Sequence, residues 1–172
     1  MEKEKIDLAI QIVNYNTKAY LLECLKSIFR DLEGSRLSVR IFILDNNSDD
    51  DLWNLKKNFI YFQAERICVL ESLKNLGFGA GHNFLAAQHN VPKILILNPD
   101  VLIEGKGSIE AMYRRLASDP LVKVIGPKLY NIKGKAQVWD HGELGRFASV
   151  LMEIGLSRWK KRDQETICAW VS

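Results

Sequence analysis

The chain has 172 residues, 47% of them hydrophobic, and a net charge of +3. That length suits one domain with a buried core, and no apolar run reaches the roughly 20 residues a membrane-spanning helix needs. So small a positive charge makes no case for a nucleic-acid partner.

Leu8 to Val13 is a near-continuous apolar run that predicts a buried strand, and it ends in the polar turn Asn14-Tyr15-Asn16-Thr17. Leu21, Leu22, Leu25, Ile28, Phe29 and Leu32 then recur at helical spacing, and Gly34 and Ser35 close that helix. Val39 to Leu44 predicts a second strand, ending in Asp45-Asn46-Asn47-Ser48-Asp49-Asp50-Asp51. Ser48, three residues before Asp51, reads as the N-cap of a helix carrying Leu52, Leu55 and Lys56. Ile67 to Leu70 is a weaker strand. After it come Asn75-Leu76-Gly77-Phe78-Gly79-Ala80-Gly81-His82-Asn83 and a helix-compatible run to Gln88.

Ile94 to Leu97 reads as a strand buried on both faces, stopped at Pro99, which cannot donate to a ladder, and followed by Asp100. Ser108 to Ala117 predicts a helix with Ile109, Met112 and Leu116 on its core face, ended by Asp119-Pro120. Val122 to Ile125 reads as a further strand, stopped by Gly126-Pro127. Beyond Asn131 the pattern loosens, and Ala169-Trp170-Val171-Ser172 reads as a strand cut short. Strands alternating with helices predict an α/β fold with a mostly parallel sheet flanked by helices. Cys24, Cys68 and Cys168 are far apart in apolar surroundings, as free thiols in a reducing compartment would be. The charged start Met1-Glu2-Lys3-Glu4-Lys5 holds no signal-peptide core, so the expected location is cytoplasmic.

Three predicted strands end in turns rich in Asn and Asp: Asn14 and Asn16, Asp45 to Asn47, and Asn98 with Asp100. Such residues favour turns for local reasons, because their side chains imitate backbone hydrogen bonds. In an open parallel sheet, however, the carboxyl ends of the strands are where ligands bind. The alternative to turn chemistry is a nucleotide pocket. Asp45 would accept from a base N–H or a ribose hydroxyl, and the backbone of Val13 to Tyr15 would line the base. A carboxylate about 4 Å from a phosphate charge is repelled by roughly 4 kcal/mol at an effective dielectric near 20. Asp100 facing a diphosphate therefore requires a cation between them, and Mg²⁺ or Mn²⁺ suits the task. Gly77, Gly79 and Gly81 permit close backbone approach and could offer N–H groups to an anion at a helix entrance. His82 stands where a dinucleotide fingerprint needs glycine, which disfavours a dehydrogenase.

These residues, taken in order, resemble glycosyltransferase family 2 enzymes of the GT-A fold, most closely the rhamnosyltransferase-like branch. The matches are Val13-Asn14-Tyr15-Asn16, Asp45-Asn46-Asn47-Ser48, Asn75 to Asn83 and Leu97-Asn98-Pro99-Asp100, continued by Gly126-Pro127-Lys128. The resemblance implies a Rossmann-like donor-binding half over residues 1–130 and the start of an acceptor-side half over 131–172. It implies transfer of a sugar, with inversion, from a nucleotide diphosphate such as dTDP-rhamnose to a glycan or lipid-linked acceptor hydroxyl. Val13, Asn14, Tyr15, Asn16, Asp45, Asn75, Gly77, Gly79, Asn83 and Asn98 would bind the donor, and Asp100 a divalent metal. Asn98 replaces the first carboxylate of the family's Asp-x-Asp motif. The catalytic base is expected beyond Ser172, and nothing sets Asp140, Glu143 or Glu153 apart from surface residues. A non-catalytic nucleotide-binding module with the same pocket is the alternative.

His82 and His141 stay open between phosphate contact and a solvent-facing or capping role, and Trp139 between sugar stacking and burial. Arg158, Lys160, Lys161 and Arg162 form either a solvated face or a contact with the inner face of a membrane, where each basic residue adds roughly 1 kcal/mol.

Overall fold

The computed structural model describes residues 5–50, 52, 66–131 and 133–135. The chain divides into two compact units between Lys123 and Val124. The first unit holds β1 (Leu8–Asn14), α1 (Lys18–Asp31), β2 (Val39–Asp45), β3 (Ile67–Glu71), α2 (Phe78–Ala86), β4 (Ile94–Ile96) and α3 (Ser108–Ser118). The sheet order is β3-β2-β1-β4, and every pair is parallel. Parallel neighbours need a crossover, and α1 supplies the one between β1 and β2.

The apolar runs form strands because both sheet faces are covered. On one face Ile10, Ile12, Ile41 and Ile43 pack with Leu21, Leu25 and Ile28 of α1 and with Ile109 of α3. On the other, Ala9, Phe42 and Leu44 pack with Leu85 of α2 and half-buried Val13 and Phe84. Gln11 interrupts the apolar run of β1, fully buried beneath α2, with His82 and His89 within 3.3 Å and 3.0 Å of its amide.

Gly81 lets α2 lie flat on the sheet. A Cβ there would stand 3.0 Å from Val13 Cγ2 and 3.2 Å from Leu44 Cδ2. Gly77, just before α2, has φ +76, a left-handed conformation that a side chain would strain.

Several expectations need correction. The strand at Ile94 is three residues long and half-buried rather than enclosed, with β1 as its one ladder partner among the described residues. Val122 to Ile125 forms no strand, since no neighbour among the described residues supplies a ladder, although Ile125 is buried. Only Ile109 of the α3 stripe is fully buried, and Met112 and Leu116 are half-covered. His82 is neither solvent-facing nor a cap, because the close seating of α2 at Gly81 carries it into the interior. Leu52 is helical and buried, while Leu55 and Lys56 lie outside the described residues. Cys24 and Cys68 are free thiols. No helix among the described residues is long and apolar enough to cross a membrane.

In the second unit, the described residues are 124–131 and 133–135. They include a turn in which Asn131 Oδ1 accepts the N–H groups of Lys133 and Lys135, each at 3.0 Å.

Candidate functional site

The ladder register brings the polar turns to one edge. Asn14 pairs with Asp45, and Asp45 with Glu71, so three strands end level. Leu97 N–H donates to the Gln11 carbonyl at 3.0 Å, so Asn98-Pro99-Asp100 leaves the sheet at this same edge.

A network of side chains ties these ends together. Asn14 is fully buried; its Nδ2 donates to Ser48 Oγ (3.1 Å), and its Oδ1 accepts from Thr17 Oγ1 (2.8 Å). Both polar ends of Asn14 are therefore spent on the chain itself. Asn16 and Asn47 have φ of 55° and 65°, a conformation asparagine tolerates better than most residues. Asn16 exchanges hydrogen bonds with Asp49, and its N–H donates to Ser48 Oγ at 3.1 Å. Ser48 thus clamps the β1 turn to the β2 turn, and the helix start that its hydroxyl is expected to cap, at Asp51, lies outside the described residues. Asp50 Oδ2 accepts the N–H of Lys18, the first residue of α1, at 2.8 Å.

Asp45 is 8% exposed, and its Oδ1 accepts Ser48 N–H at 3.1 Å. Its Oδ2 accepts no hydrogen bond among the described residues. Asn46, 2% exposed, is the hub that sequence reasoning left unassigned. Its Oδ1 accepts from Leu76 N–H (2.8 Å) and Ser72 Oγ (3.3 Å), and its Nδ2 donates to Asn75 Oδ1 (2.9 Å). Asn75 Oδ1 also accepts Gly77 N–H at 2.8 Å. Asn75 therefore sets the entrance of α2 rather than projecting alone.

Gly79 lies in the first turn of α2, exposed, and a Cβ there would meet nothing within 4 Å. Tyr15 and Phe78 are 46% and 59% exposed. Asn83 lies on the outer side of α2, opposite Gly81 and Leu85, and makes no hydrogen bond with the strand-end cluster among the described residues. A surface hollow of about 490 Å³ opens beside the β1 turn, lined by Asn16, Thr17, Lys18, Tyr20 and Asp50. Neither Asp45 nor Asp100 lines it.

Asp100 is exposed, and no side chain among the described residues pairs with its carboxylate. No group of three His, Cys, Asp or Glu side chains able to hold a metal forms among the described residues. A hard cation that draws most of its oxygens from phosphate and water is compatible with a single protein carboxylate. Beneath the turn, Cys24 Sγ of α1 donates to the Asn98 carbonyl at 3.7 Å. Burial, and secondarily the Asp100 charge, push the Cys24 thiol up to about 12. Burial lowers His82 to about 4 and moves His89 in the same direction. His82 Nε2 is buried with no partner among the described residues. Trp139, His141 and the basic residues Arg158, Lys160, Lys161 and Arg162 lie outside the described residues, as do Asp140, Glu143, Glu153 and Cys168.

Residues 9–169 match the family described as Glycosyl transferase family 2. The chain belongs to that family. The fold of this family 2 chain is that of GT-A glycosyltransferases, as its structural neighbours show. Residues 1-349 of S. aureus TarS superpose with a TM-score of 0.64 at 16% identity, covering 80% of this chain and 40% of that one. The mannosyltransferase PcManGT from Pyrobaculum calidifontis, in complex with GDP-Man and Mn²⁺, gives 0.63 at 15% identity, covering 75% and 37%. TarS 1-349 in complex with UDP-GlcNAc gives 0.62 at 16% identity, covering 80% and 38%. This family 2 chain therefore spans about two fifths of the structures it resembles. No curated protein sequence matches it.

Proposed function

We propose that this chain is the donor-binding part of an inverting glycosyltransferase. It would move a sugar from a nucleotide diphosphate to an acceptor hydroxyl in polysaccharide or lipid-linked glycan synthesis. The observation that carries this reading is the placement of a buried carboxylate, Asp45, whose Oδ2 accepts no hydrogen bond among the described residues, and an exposed one, Asp100, at a single parallel-sheet edge.

Asp45 Oδ2 accepts from the base or the ribose, with Val13, Asn14 and Tyr15 forming the wall beside it. Because Asn14 is internally bonded, it serves by holding the turn, and exposed Tyr15 presents a face for stacking. Gly77 and Gly79 leave the α2 entrance open to the diphosphate, where first-turn N–H groups favour an anion. Asn98 lies beside the sugar-phosphate end, and Asp100 holds Mg²⁺ or Mn²⁺. When bound, that cation screens the charge of the departing diphosphate. Inversion requires the acceptor hydroxyl to attack opposite the diphosphate, with a base taking its proton. The neighbours solved with GDP-Man and Mn²⁺, or with UDP-GlcNAc, support the class of donor. The rhamnosyltransferase-like motifs favour dTDP-rhamnose among such donors, and Arg158, Lys160, Lys161 and Arg162 would meet the surface carrying a lipid-linked acceptor.

Backbone amide shifts recorded while UDP, GDP and dTDP are added with Mn²⁺ test the placement. The reading expects shifts in 13–16, 45–48 and 75–81 for at least one nucleotide. Shifts confined to the opposite edge of the sheet would contradict it.

A further inference from the structure

We propose that Cys24, Ser27 and Asp31 are positioning residues for Asp100, acting as three tethers from one face of α1. The proposal rests on the reading that Asp100 holds the cation.

The segment from Asn98 to Gly107 has no helix or strand of its own, so something else must fix it. Val101 and Ile103 pack against the core, while Leu102 and Glu104 between them are exposed. That packing sets which side faces inward and leaves position along the segment undetermined. The polar side chains supply it. Cys24 Sγ donates to the carbonyl of Asn98 at 3.7 Å. The same carbonyl accepts Val101 N–H at 3.3 Å, closing the turn whose third residue is Asp100. Ser27 Oγ donates to the Cys24 carbonyl at 2.7 Å and accepts Ile103 N–H at 3.1 Å. Asp31 accepts Ser108 N–H at 2.8 Å and Ile109 N–H at 2.9 Å, and its carbonyl accepts Gly107 N–H at 2.9 Å.

Spacings of three and four place these residues on one helix face, the face of Leu21 and Ile28. All are enclosed: Cys24 is 0% exposed, Ser27 3% and Asp31 1%. Polar groups there are costly unless bonded; Cys24 and Ser27 are bonded to the Asp100 segment, and Asp31 to its last residue and the start of α3. Asp31 makes the case by its location. A carboxylate in the last turn of α1 opposes that helix's own dipole, yet it sits at the favourable end of α3. Its place is explained by what it holds. Asp100 is thus bracketed, two residues after the Cys24 tether and three before the Ser27 tether.

The test uses the full chain with Ser27→Ala, Cys24→Ala, Cys24→Ser and, on the exposed side of α1, Arg30→Ala. Amide exchange is measured without metal, and Mn²⁺-dependent binding is measured with UDP, GDP and dTDP. Ser27→Ala should speed exchange at Ile103 and weaken Mn²⁺-dependent binding roughly three- to tenfold, the worth of about one hydrogen bond. Cys24→Ala should weaken it as well, Cys24→Ser should retain it, and Arg30→Ala should change neither readout. Faster Ile103 exchange with unaltered Mn²⁺-dependent binding would reduce the tethers to a structural role and overturn the proposal. A wild-type chain that binds none of these nucleotides with Mn²⁺ overturns the reading of Asp100, and this inference with it.

Discussion

Asn46 Oδ1 accepts the backbone N–H of Leu76 at 2.8 Å, joining the end of β2 to the glycine loop before α2. Together with its bonds to Asn75 and Ser72, this makes one buried amide responsible for the shape of the loop. Asn46→Ala would leave Leu76 N–H and Asn75 Oδ1 without these partners. The expected cost is about 2–3 kcal/mol of stability, read from urea denaturation. Amide exchange should quicken at Leu76 ahead of the sheet.

Gly81 and Gly79 should respond in opposite ways to the same change. Gly81→Ala forces a methyl group against Val13 and Leu44, at a cost of about 1–3 kcal/mol in denaturation. Gly79→Ala meets nothing in the chain and, by helix propensity, is neutral or stabilising by up to about 1 kcal/mol. If the diphosphate approaches the first turn of α2, Gly79→Ala should nonetheless weaken nucleotide binding. A variant that is as stable and binds equally well would remove Gly79 from the site.

Acid should destabilise the fold through His82. Burial lowers its pKa from 6.5 to about 4, so the folded chain resists a proton that the unfolded chain accepts. The stabilisation is complete above 6.5 and is lost as pH falls from 6.5 towards 4. With allowance for partial solvent screening, the loss is about 1–2 kcal/mol. His89 acts in the same direction. Urea midpoints above and below this window should differ more for the wild type than for His82→Gln. Equal differences would show that the carboxylates alone carry the acid response.

The apolar runs made the strand ends legible, and with them the placement of Asn14, Asp45 and Asn98 at one edge. A run that stops at a polar turn marks where a strand leaves the sheet, and the parallel order follows from the alternation with helices. The roles within that edge were less legible. Asn14 and Asn46 are the same residue type in similar turns. Only the fold shows that both are consumed inside the protein, whereas Asp45 has an oxygen with no hydrogen bond among the described residues. The stripe of Cys24, Ser27 and Asp31 was hidden among the apolar residues of α1. Its signal was three residues with polar groups at helical spacing on the Leu21 and Ile28 face. The expected strand at Val122 fails because four apolar-rich residues specify a strand only where a neighbour completes the ladder. His82 escaped because burial by a glycine-seated helix is set by tertiary contact, which local composition does not record.

Asp45 and Asp100 should separate in binding. Asp45→Ala should weaken nucleoside diphosphate binding with or without metal, by roughly tenfold or more, since hydrogen bonds to charged groups are worth about 1.5–3 kcal/mol. Asp45→Asn should shift preference among nucleobases. Equal affinity for UDP, GDP and dTDP before and after the substitutions would place the base elsewhere.

The most direct test is calorimetric titration of the chain with dTDP, UDP and GDP, each with Mn²⁺ and with EDTA, alongside Asp100→Ala. One diphosphate should bind with Mn²⁺, and EDTA or the substitution should abolish most of that binding. Binding that is indifferent to both EDTA and Asp100→Ala would contradict the role given to Asp100. A folded chain that binds none of the three would contradict the donor site itself.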